Sequence, residues 1–311
     1  MAKSVIEARG AAKTFGELRA VDGVDLAIER GEIFGLIGHN GAGKTTLFKL
    51  MLGLLPLSGG TIAIEGRRVD GPEFREVRRR VAYLPENVVL WDNLSGLETL
   101  RFFARLKGVD PALCAAALER VGLRDAAGRR VRGYSKGMRQ RLGFAQALLG
   151  EPAIMLLDEP TAGLDPESRR EFYRLIDELR GRGTTIVLSS HVLAELQERV
   201  DRLAIMRNGR IDALGTLASL REGHELQIRA ELRVRGGARD ALAAALGAAG
   251  FDAVAAADGQ LRIVCPRAEK MALIAALHPL LADLTDLQLR EPSLEDIFLG
   301  HAAPEPPGRV T

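Results

Sequence analysis

Short, unbroken apolar runs alternate with longer helical patterns over residues 1–222 of this 311-residue chain. Such runs are typical of strands that are covered on both faces, as in a parallel sheet. The predicted strands are residues 33–37, 81–84, 154–157, 185–188 and 203–206. The predicted helices are residues 45–55, 97–106, 111–121, 137–149 and 166–180. This alternation predicts an α/β domain built on a mostly parallel sheet.

Local signals refine this prediction. Asp165 followed by Pro166 is typical of a helix N-cap followed by proline at the first helical position. Asn208 and Gly209 lie between two apolar segments and predict a two-residue hairpin turn. Residues 5–15 and 21–28 alternate in polarity, which predicts a small antiparallel sheet attached to the domain.

The pattern changes beyond about residue 223. Alternating segments (226–234, 252–257, 261–265 and 284–289) and helical segments (238–249 and 268–281) occur in the order β-α-β-β-α-β, with a turn predicted at Asp258-Gly259. This order is typical of a ferredoxin-like α+β fold. Ser293 is placed to cap a short helix over residues 293–298. We therefore predict domains at 1–222 and 223–301, followed by a disordered, proline-containing tail at 302–311.

Composition excludes several classes of function. The formal net charge is +2, without the strong basic excess typical of nucleic-acid-binding domains. Two distant cysteines, Cys114 and Cys265, and five scattered histidines form no disulfide framework or metal-ligand spacing. No apolar run approaches the ~18 residues needed to span a bilayer, and the N-terminus lacks the apolar core of a signal peptide. The arginines at 67–68 and 75–80 are expected to be solvated or paired with local acids rather than bound to lipid headgroups.

The clearest chemical motif is a phosphate-binding loop. Residues 38–45, GHNGAGKT, fit the pattern G-x-x-x-x-G-K-[ST] between a predicted strand and a predicted helix. The glycines let backbone N–H groups surround phosphates, and the helix N-terminus adds the positive end of its dipole. Lys44 is predicted to reach the β- and γ-phosphates, and the Thr45 hydroxyl to bind Mg²⁺.

A second motif ends the strand at 154–157. Asp158 and Glu159 follow it directly, at the carboxyl edge of the sheet where α/β proteins bind ligands. Asp158 is predicted to hold Mg²⁺ opposite Thr45, and Glu159 to polarise an attacking water. Paired with the phosphate loop, this arrangement indicates phosphoryl transfer.

These motifs resemble those of the nucleotide-binding subunits of ATP-binding-cassette (ABC) transporters over residues 4–219. Tyr134-Ser135-Lys136-Gly137-Met138 stands at the family's signature position, with Lys136 and Met138 where Gly and Gln are commonest. Residues 162–165 resemble the D-loop, His191 the switch histidine, and Phe15 the aromatic residue that stacks on adenine. The resemblance implies a mostly parallel, mixed sheet with an antiparallel β subdomain and a helical subdomain. It also implies that ATP and Mg²⁺ are bound by a set of residues comprising Phe15, Gly38, His39, Asn40, Gly41, Ala42, Gly43, Lys44, Thr45, Thr46, Ser135, Gly137 and Asp158, with Glu159 and His191 catalytic.

Glu86 departs from the family pattern, which usually has Gln at this position. Either side chain offers an oxygen to Mg²⁺ or to the attacking water, so Glu86 is a candidate for metal binding and catalysis. A carboxylate adds negative charge beside the triphosphate and should help only while Mg²⁺ is bound. The alternative is that Glu86 anchors its loop toward a membrane partner.

The resemblance further implies the partners. Ser135 and Gly137 would complete the site of a second copy, giving a head-to-tail homodimer with two ATP molecules between the subunits. A separate integral membrane permease would provide the transport path, which places the chain peripherally at the cytoplasmic face of the membrane.

The signature, Glu86 and residues 291–298, EPSLEDIF, resemble ATPases of the ABC-2 exporter type. Within that group, YLPENV, LSGLETLRFFARLKGV and YSKGMRQRLGFAQALLGEP look close to the NosF family, the ATPases of the transporter that serves copper-site maturation of nitrous oxide reductase. This resemblance adds a periplasmic accessory protein that acts through the permease. The alternatives are an ABC-2 exporter of drug, lipid or polysaccharide and a soluble, non-transport ABC ATPase. The second domain could also be a small-molecule sensor.

Overall fold

The computed structural model describes residues 4–222, 227–235, 238–255 and 260–290. The chain divides into two compact units at Leu217 and Ala218. We call them the first unit and the second unit. In the described ranges, no helix is long and apolar enough to cross a membrane.

A six-stranded sheet forms the centre of the first unit. Its strand order is β10-β9-β3-β8-β7-β6, parallel except for β10, which pairs antiparallel with β9. β3, β7 and β8 are buried along their whole length, which explains their unbroken apolar runs. The strands are β3 (Ile33–Ile37), β6 (Val81–Leu84), β7 (Ile154–Leu157), β8 (Thr185–Ser190), β9 (Arg202–Arg207) and β10 (Arg210–Gly215).

A second, antiparallel sheet has the order β2-β1-β4-β5. Its strands are β1 (Ser4–Phe15), β2 (Leu18–Glu29), β4 (Gly59–Ile64) and β5 (Arg67–Arg68). Apolar side chains from this sheet, from α1 (Lys44–Met51) and from the central sheet share one core cluster. The antiparallel sheet therefore supports the loop at the start of α1.

The remaining helices of the first unit are α2 (Phe74–Arg78), α3 (Gly96–Lys107), α4 (Leu113–Arg120), α5 (Lys136–Leu148), α6 (Pro166–Gly181) and α7 (Leu193–Leu196), while α8 (Leu217–Glu222) begins at the division. α3, α4 and α5 pack against one another and form the helical subdomain. Asp165 caps α6 as predicted, by accepting hydrogen bonds from the amides of Glu167 and Ser168.

Two predicted helix boundaries in the first unit were wrong. The helix predicted over 45–55 ends at Met51, because Gly53 adopts a left-handed conformation (φ 63°) and the Leu54 amide closes on the Lys49 carbonyl. The helix predicted from Pro111 begins at Leu113, because the Asp110 side chain accepts a hydrogen bond from the Ala112 amide in a turn. Neither change moves a candidate site residue.

The arginines after β4 are partly paired with nearby acids. Arg68 lies 2.7 Å from Asp70, while Arg67 pairs with Glu73 and Arg80 with Glu65. This pairing agrees with the expectation that local acids, rather than lipid headgroups, balance much of this charge.

The second unit contains the predicted β-α-β-β-α-β order. Its elements are β11 (Gln227–Val234), α9 (Arg239–Ala248), β12 (Ala253–Ala255), β13 (Leu261–Pro266), α10 (Lys270–Leu277) and β14 (Leu284–Arg290). The sheet order is β12-β13-β11-β14, antiparallel throughout, as in a ferredoxin-like fold. The predictions at Asp258-Gly259, residues 293–298 and 302–311 lie outside the described residues.

Candidate functional site

The phosphate loop connects β3 to α1, and its glycines are required by close packing. Gly43 has φ 107°, and a Cβ there would lie 2.3 Å from the Ala20 carbonyl oxygen. A Cβ at Gly38 would lie 2.4 Å from the Met206 carbonyl oxygen. The loop thus lies directly against the backbones of β2 and β9, and only glycine allows this approach.

Lys44 extends from the start of α1 back across the loop. Its ammonium group is buried and donates hydrogen bonds to the carbonyl oxygens of Gly38 (2.5 Å) and His39 (3.3 Å). It also lies 3.2 Å from Oε1 of Glu159. The structure therefore places a positive charge on the loop's inner side, beside a catalytic candidate.

Asp158 is fully buried at the carboxyl end of β7. Its Oδ2 accepts a hydrogen bond from the Thr45 hydroxyl at 2.6 Å, and its Oδ1 accepts one from the Ser189 hydroxyl at 2.6 Å. A carboxylate and a hydroxyl at this separation provide the hard oxygen donors that Mg²⁺ prefers. No cluster of three or more His, Cys, Asp or Glu suited to a metal occurs in the part of the chain that is described. Few protein ligands are typical of Mg²⁺ held partly by substrate phosphates.

Glu159 has a left-handed backbone conformation, with φ 47°. Its amide donates to the Ser189 hydroxyl at 2.9 Å, and its Oε2 lies 2.8 Å from Nδ1 of His191, which acts as donor to this carboxylate. Oε1 is buried and accepts no hydrogen bond, although the Lys44 ammonium lies nearby. A carboxylate that His191 positions through one oxygen, and whose other oxygen accepts no hydrogen bond from the described residues, is suited to take a proton from a water.

One cleft collects most of the predicted nucleotide-binding residues. It has a volume of about 540 Å³. Its lining includes Phe15, His39, Asn40, Gly41, Ala42, Gly43, Lys44, Thr45, Thr46, Glu86, Asp158 and Glu159. Phe15 is half exposed at the cleft, where its ring can stack on a base, and the Lys13 ammonium lies 5.1 Å from the ring centre. Glu86 is exposed at the same cleft.

Four of the predicted site residues do not line this cleft: Gly38, whose carbonyl oxygen accepts a hydrogen bond from Lys44, and Ser135, Gly137 and His191. Ser135 caps α5, where its hydroxyl accepts a hydrogen bond from the Met138 amide at 3.2 Å. Gly137 follows in the first turn, next to Gly163 and Leu164 of the D-loop segment. His191 also lies outside the cleft lining, but it contacts the site through Glu159.

Sequence reasoning missed several residues at the site. Ser189 contacts both acids, and its signal was a polar residue at the end of a buried apolar strand. Burial and the neighbouring Asp158 carboxylate raise the pKa of Tyr83, so its phenol stays protonated beside the acids. The Asn208-Gly209 turn lines the cleft, and the Gly209 amide donates to the Ala42 carbonyl. The sequence indicated this hairpin but not its position.

Known proteins resemble this chain over its full length. Residues 21–162 match the family described as ABC transporter. The chain is 35% identical over 308 residues to the daunorubicin resistance ATP-binding protein DrrA3 of Streptomyces coeruleorubidus, covering 96% of each. It is 32% identical over 307 residues to the linearmycin resistance ATP-binding protein LnrL of Bacillus subtilis, covering 95% of this chain and 97% of that one.

Solved structures agree with this similarity. An ATP-binding subunit of an ABC transporter matches with 34% identity and a TM-score of 0.65, over 71% of this chain and 93% of that one. A dimeric bacterial ABC transporter cassette matches with 25% identity and a TM-score of 0.64, over 68% of this chain and 98% of that one. The chain therefore belongs to the ABC transporter family, as an ATP-binding subunit that hydrolyses ATP with Mg²⁺ as the general cofactor of such ATPases.

Proposed function

We propose that the chain powers an ABC-2-type transporter, and that Lys44, Thr45, Asp158, Glu159 and His191 form its hydrolytic centre. The observation that carries this assignment is the contact of Glu159 with both Lys44 and His191, beside the Thr45–Asp158 pair. Lys44 and the loop amides would bind the phosphates, and Thr45 and Asp158 would hold Mg²⁺, which neutralises charge on the transferred phosphoryl group. Glu159 would accept the proton of the attacking water, and His191 would orient Glu159.

We further propose that two copies associate head-to-tail, with Ser135 and Gly137 of one copy completing the cleft of the other. Gly137 supports this arrangement, because none of the described residues of its own chain requires glycine there. A Cβ at Gly137 would meet its nearest neighbour, the Gly163 carbonyl oxygen, at an ordinary 3.5 Å, and its φ is not left-handed. Close approach by another molecule explains the glycine. The exposed N-cap of α5 offers backbone amides and a hydroxyl for the same contact.

The permease would dock beside Glu86. Trp91 packs edge-on against Phe102, with ring centres 4.8 Å apart, yet both rings are at least 40% exposed. Val89, two residues before Trp91, and Leu106, one turn after Phe102 on α3, are 89% and 68% exposed. Together these four side chains form what we call the aromatic patch, and exposed apolar patches of this kind mark interaction surfaces. Such docking would hold the chain peripherally at the cytoplasmic face of the membrane.

For the cargo, we propose the assembly of the copper centre of nitrous oxide reductase, with a periplasmic accessory protein acting through the permease. The supporting observation is the set of NosF-like runs, YLPENV, LSGLETLRFFARLKGV and YSKGMRQRLGFAQALLGEP. They span the Glu86 loop, α3 and the signature helix, the segments at which we propose the permease and dimer contacts.

Export of a drug is the second candidate function. It is favoured by the relatives that match the full chain, since DrrA3 and LnrL are both named as resistance proteins. Both candidates need the same hydrolytic centre, so the cargo must be tested separately from hydrolysis.

The test of cargo is co-expression of the chain with a membrane permease of the ABC-2 type. Cells that express this permease, the chain and nitrous oxide reductase should produce copper-loaded reductase, and the Glu159→Gln chain should give apo-reductase. Copper content measured by mass spectrometry is the readout. Fully loaded reductase with Glu159→Gln, together with lost resistance to an anthracycline, would favour the drug exporter instead.

A further inference from the structure

A buried hydroxyl lies directly behind the two acids of the cleft. Ser189 follows the apolar residues of β8 and is 1% exposed. β8 runs parallel to β7, so Ser189 reaches the edge of the sheet where β7 ends in Asp158 and Glu159. A hydroxyl that is buried this completely is stable only if it makes hydrogen bonds, and its partners show what it orients.

The first partner is the carboxylate of Asp158. The Ser189 hydroxyl donates to Oδ1 at 2.6 Å, while the Thr45 hydroxyl donates to Oδ2 at 2.6 Å. Because each oxygen has a different hydroxyl, rotation of the carboxylate would break both bonds. Ser189 thus keeps Oδ2 turned toward the phosphate loop.

The second partner is the backbone of Glu159. The amide of Glu159 donates to the Ser189 hydroxyl at 2.9 Å. The φ of Glu159 is 47°, a backbone conformation that is unfavourable for residues other than glycine. The surrounding structure must hold such a conformation in place. This conformation directs the Glu159 side chain toward Lys44 and His191.

We propose that Ser189 is a positioning residue for ATP hydrolysis, which orients Asp158 through Oδ1 and Glu159 through its amide. One hydroxyl, acting as donor to the first acid and acceptor to the second, couples the metal-binding candidate to the proton acceptor. This inference rests on the proposed roles of Asp158 and Glu159.

The test is the ATPase activity of the full chain carrying Ser189→Ala. We expect kcat to fall about 10- to 100-fold, the range for loss of a hydrogen bond to a charged group, while the KM for ATP changes less than about 3-fold. Binding of a fluorescent ATP analogue should weaken within the same 3-fold limit with Mg²⁺ present and stay unchanged in EDTA. Ser189→Thr, which keeps the hydroxyl, should restore most of the turnover.

Ser190→Ala is the matched control. Its hydroxyl is one residue away and lies 3.0 and 3.2 Å from the backbone nitrogen and oxygen of Val192. This variant should keep kcat within about 2-fold of the parent chain. Should Ser189→Ala fail to fold, Ser189→Cys preserves the volume with only a weak donor and should show the same fall in kcat.

Three results would overturn the proposal. The first is a kcat within 2-fold of the parent chain for Ser189→Ala, or for Ser189→Cys if the alanine variant does not fold. The second is an equal loss of kcat in Ser190→Ala, and the third is ATP binding that weakens equally with and without Mg²⁺. Glu159→Gln belongs in the same assay. If Glu159→Gln turns over normally, the proposed hydrolytic centre is wrong. If it is slow while Ser189→Ala is normal, only the role of Ser189 is wrong.

Discussion

The two units of the chain bury different kinds of side chain. The first unit buries charged groups, namely Lys13, Glu32, Lys44, Asp158 and Glu159. The second unit, as far as it is described, buries none, and its core is apolar apart from the thiol of Cys265. Because an unpaired buried charge strongly opposes folding, charges are retained where partners compensate them or where chemistry uses them.

This difference assigns the proposed catalysis to the first unit. Three of the five buried charges, Lys44, Asp158 and Glu159, meet at the nucleotide cleft. In the described part of the second unit, the buried side chains explain how the sheet and helices pack, and none of them carries a charge. Substitution of buried charged residues in the first unit should therefore reduce ATP turnover. Substitution of buried residues in the second unit should reduce stability.

The largest effect is expected at Glu159. Glu159→Gln should bind ATP and dimerise but hydrolyse at least ~100-fold more slowly, because it loses the carboxylate that accepts the water's proton. Steady-state phosphate release and light scattering with ATP measure the two properties. The exposed Glu167→Gln is the matched control. Normal turnover in Glu159→Gln would remove this residue from catalysis.

In the second unit, Leu246→Ala should reduce stability without affecting chemistry. Leu246 is fully buried on α9, and truncation of such a residue costs about 2–5 kcal/mol. Urea unfolding should show the loss in the transition of the second unit, with ATP turnover of the chain within 2-fold. Leu281→Ala, at a half-exposed position, serves as the control. A parallel loss of turnover would show that the second unit contributes to hydrolysis.

A substitution at Glu86 tests whether this residue acts in ATP hydrolysis or in the contact with the permease. Glu86→Gln should change the basal kcat less than about 3-fold, because its carboxylate is exposed and water screens it, but should reduce stimulation by the permease. ATPase assays with and without the permease separate the two effects. A basal loss as large as that of Glu159→Gln would make Glu86 catalytic.

The smallest effect concerns the pH dependence of stability at Glu32. Burial raises the pKa of Glu32, although the Glu29 amide and Arg202 act in the opposite direction. The folded state therefore binds this proton more tightly than the unfolded state. The resulting stabilisation is complete below the unfolded pKa of about 4.5 and is lost as pH rises through the raised value.

The amide of Glu32→Gln stays neutral at every pH and keeps an oxygen that can accept a hydrogen bond. Its free energy of unfolding should therefore decline less than that of the parent chain between pH 4.5 and neutrality. Urea titrations at several pH values provide the measurement, and the exposed Glu171→Gln should retain the parent slope. Identical slopes for Glu32→Gln and the parent would show that Glu32 does not titrate in this range.

Much of the fold follows from local patterns. Strands 33–37, 81–84 and 154–157 have the predicted bounds. For β3 and β7 the reason is burial on both faces, which leaves an unbroken apolar run. The strands β4 and β5 were not predicted, since β4 begins with two exposed glycines and β5 consists of two exposed arginines. The end of α1 was missed because Gly53 lies among apolar residues that continue the helical pattern.

The sequence by itself determined the chemistry at the cleft, since the phosphate loop and the Asp158-Glu159 pair require particular residues at fixed spacing. Only the tertiary structure decided how distant residues meet. Ser189 is separated from Asp158 by 31 positions, and Gly209 lies far from Ala42 in sequence, yet both pairs are hydrogen bonded. Parallel strand pairing and close glycine packing bring these residues together. The spacing of apolar residues along the chain shows neither of them.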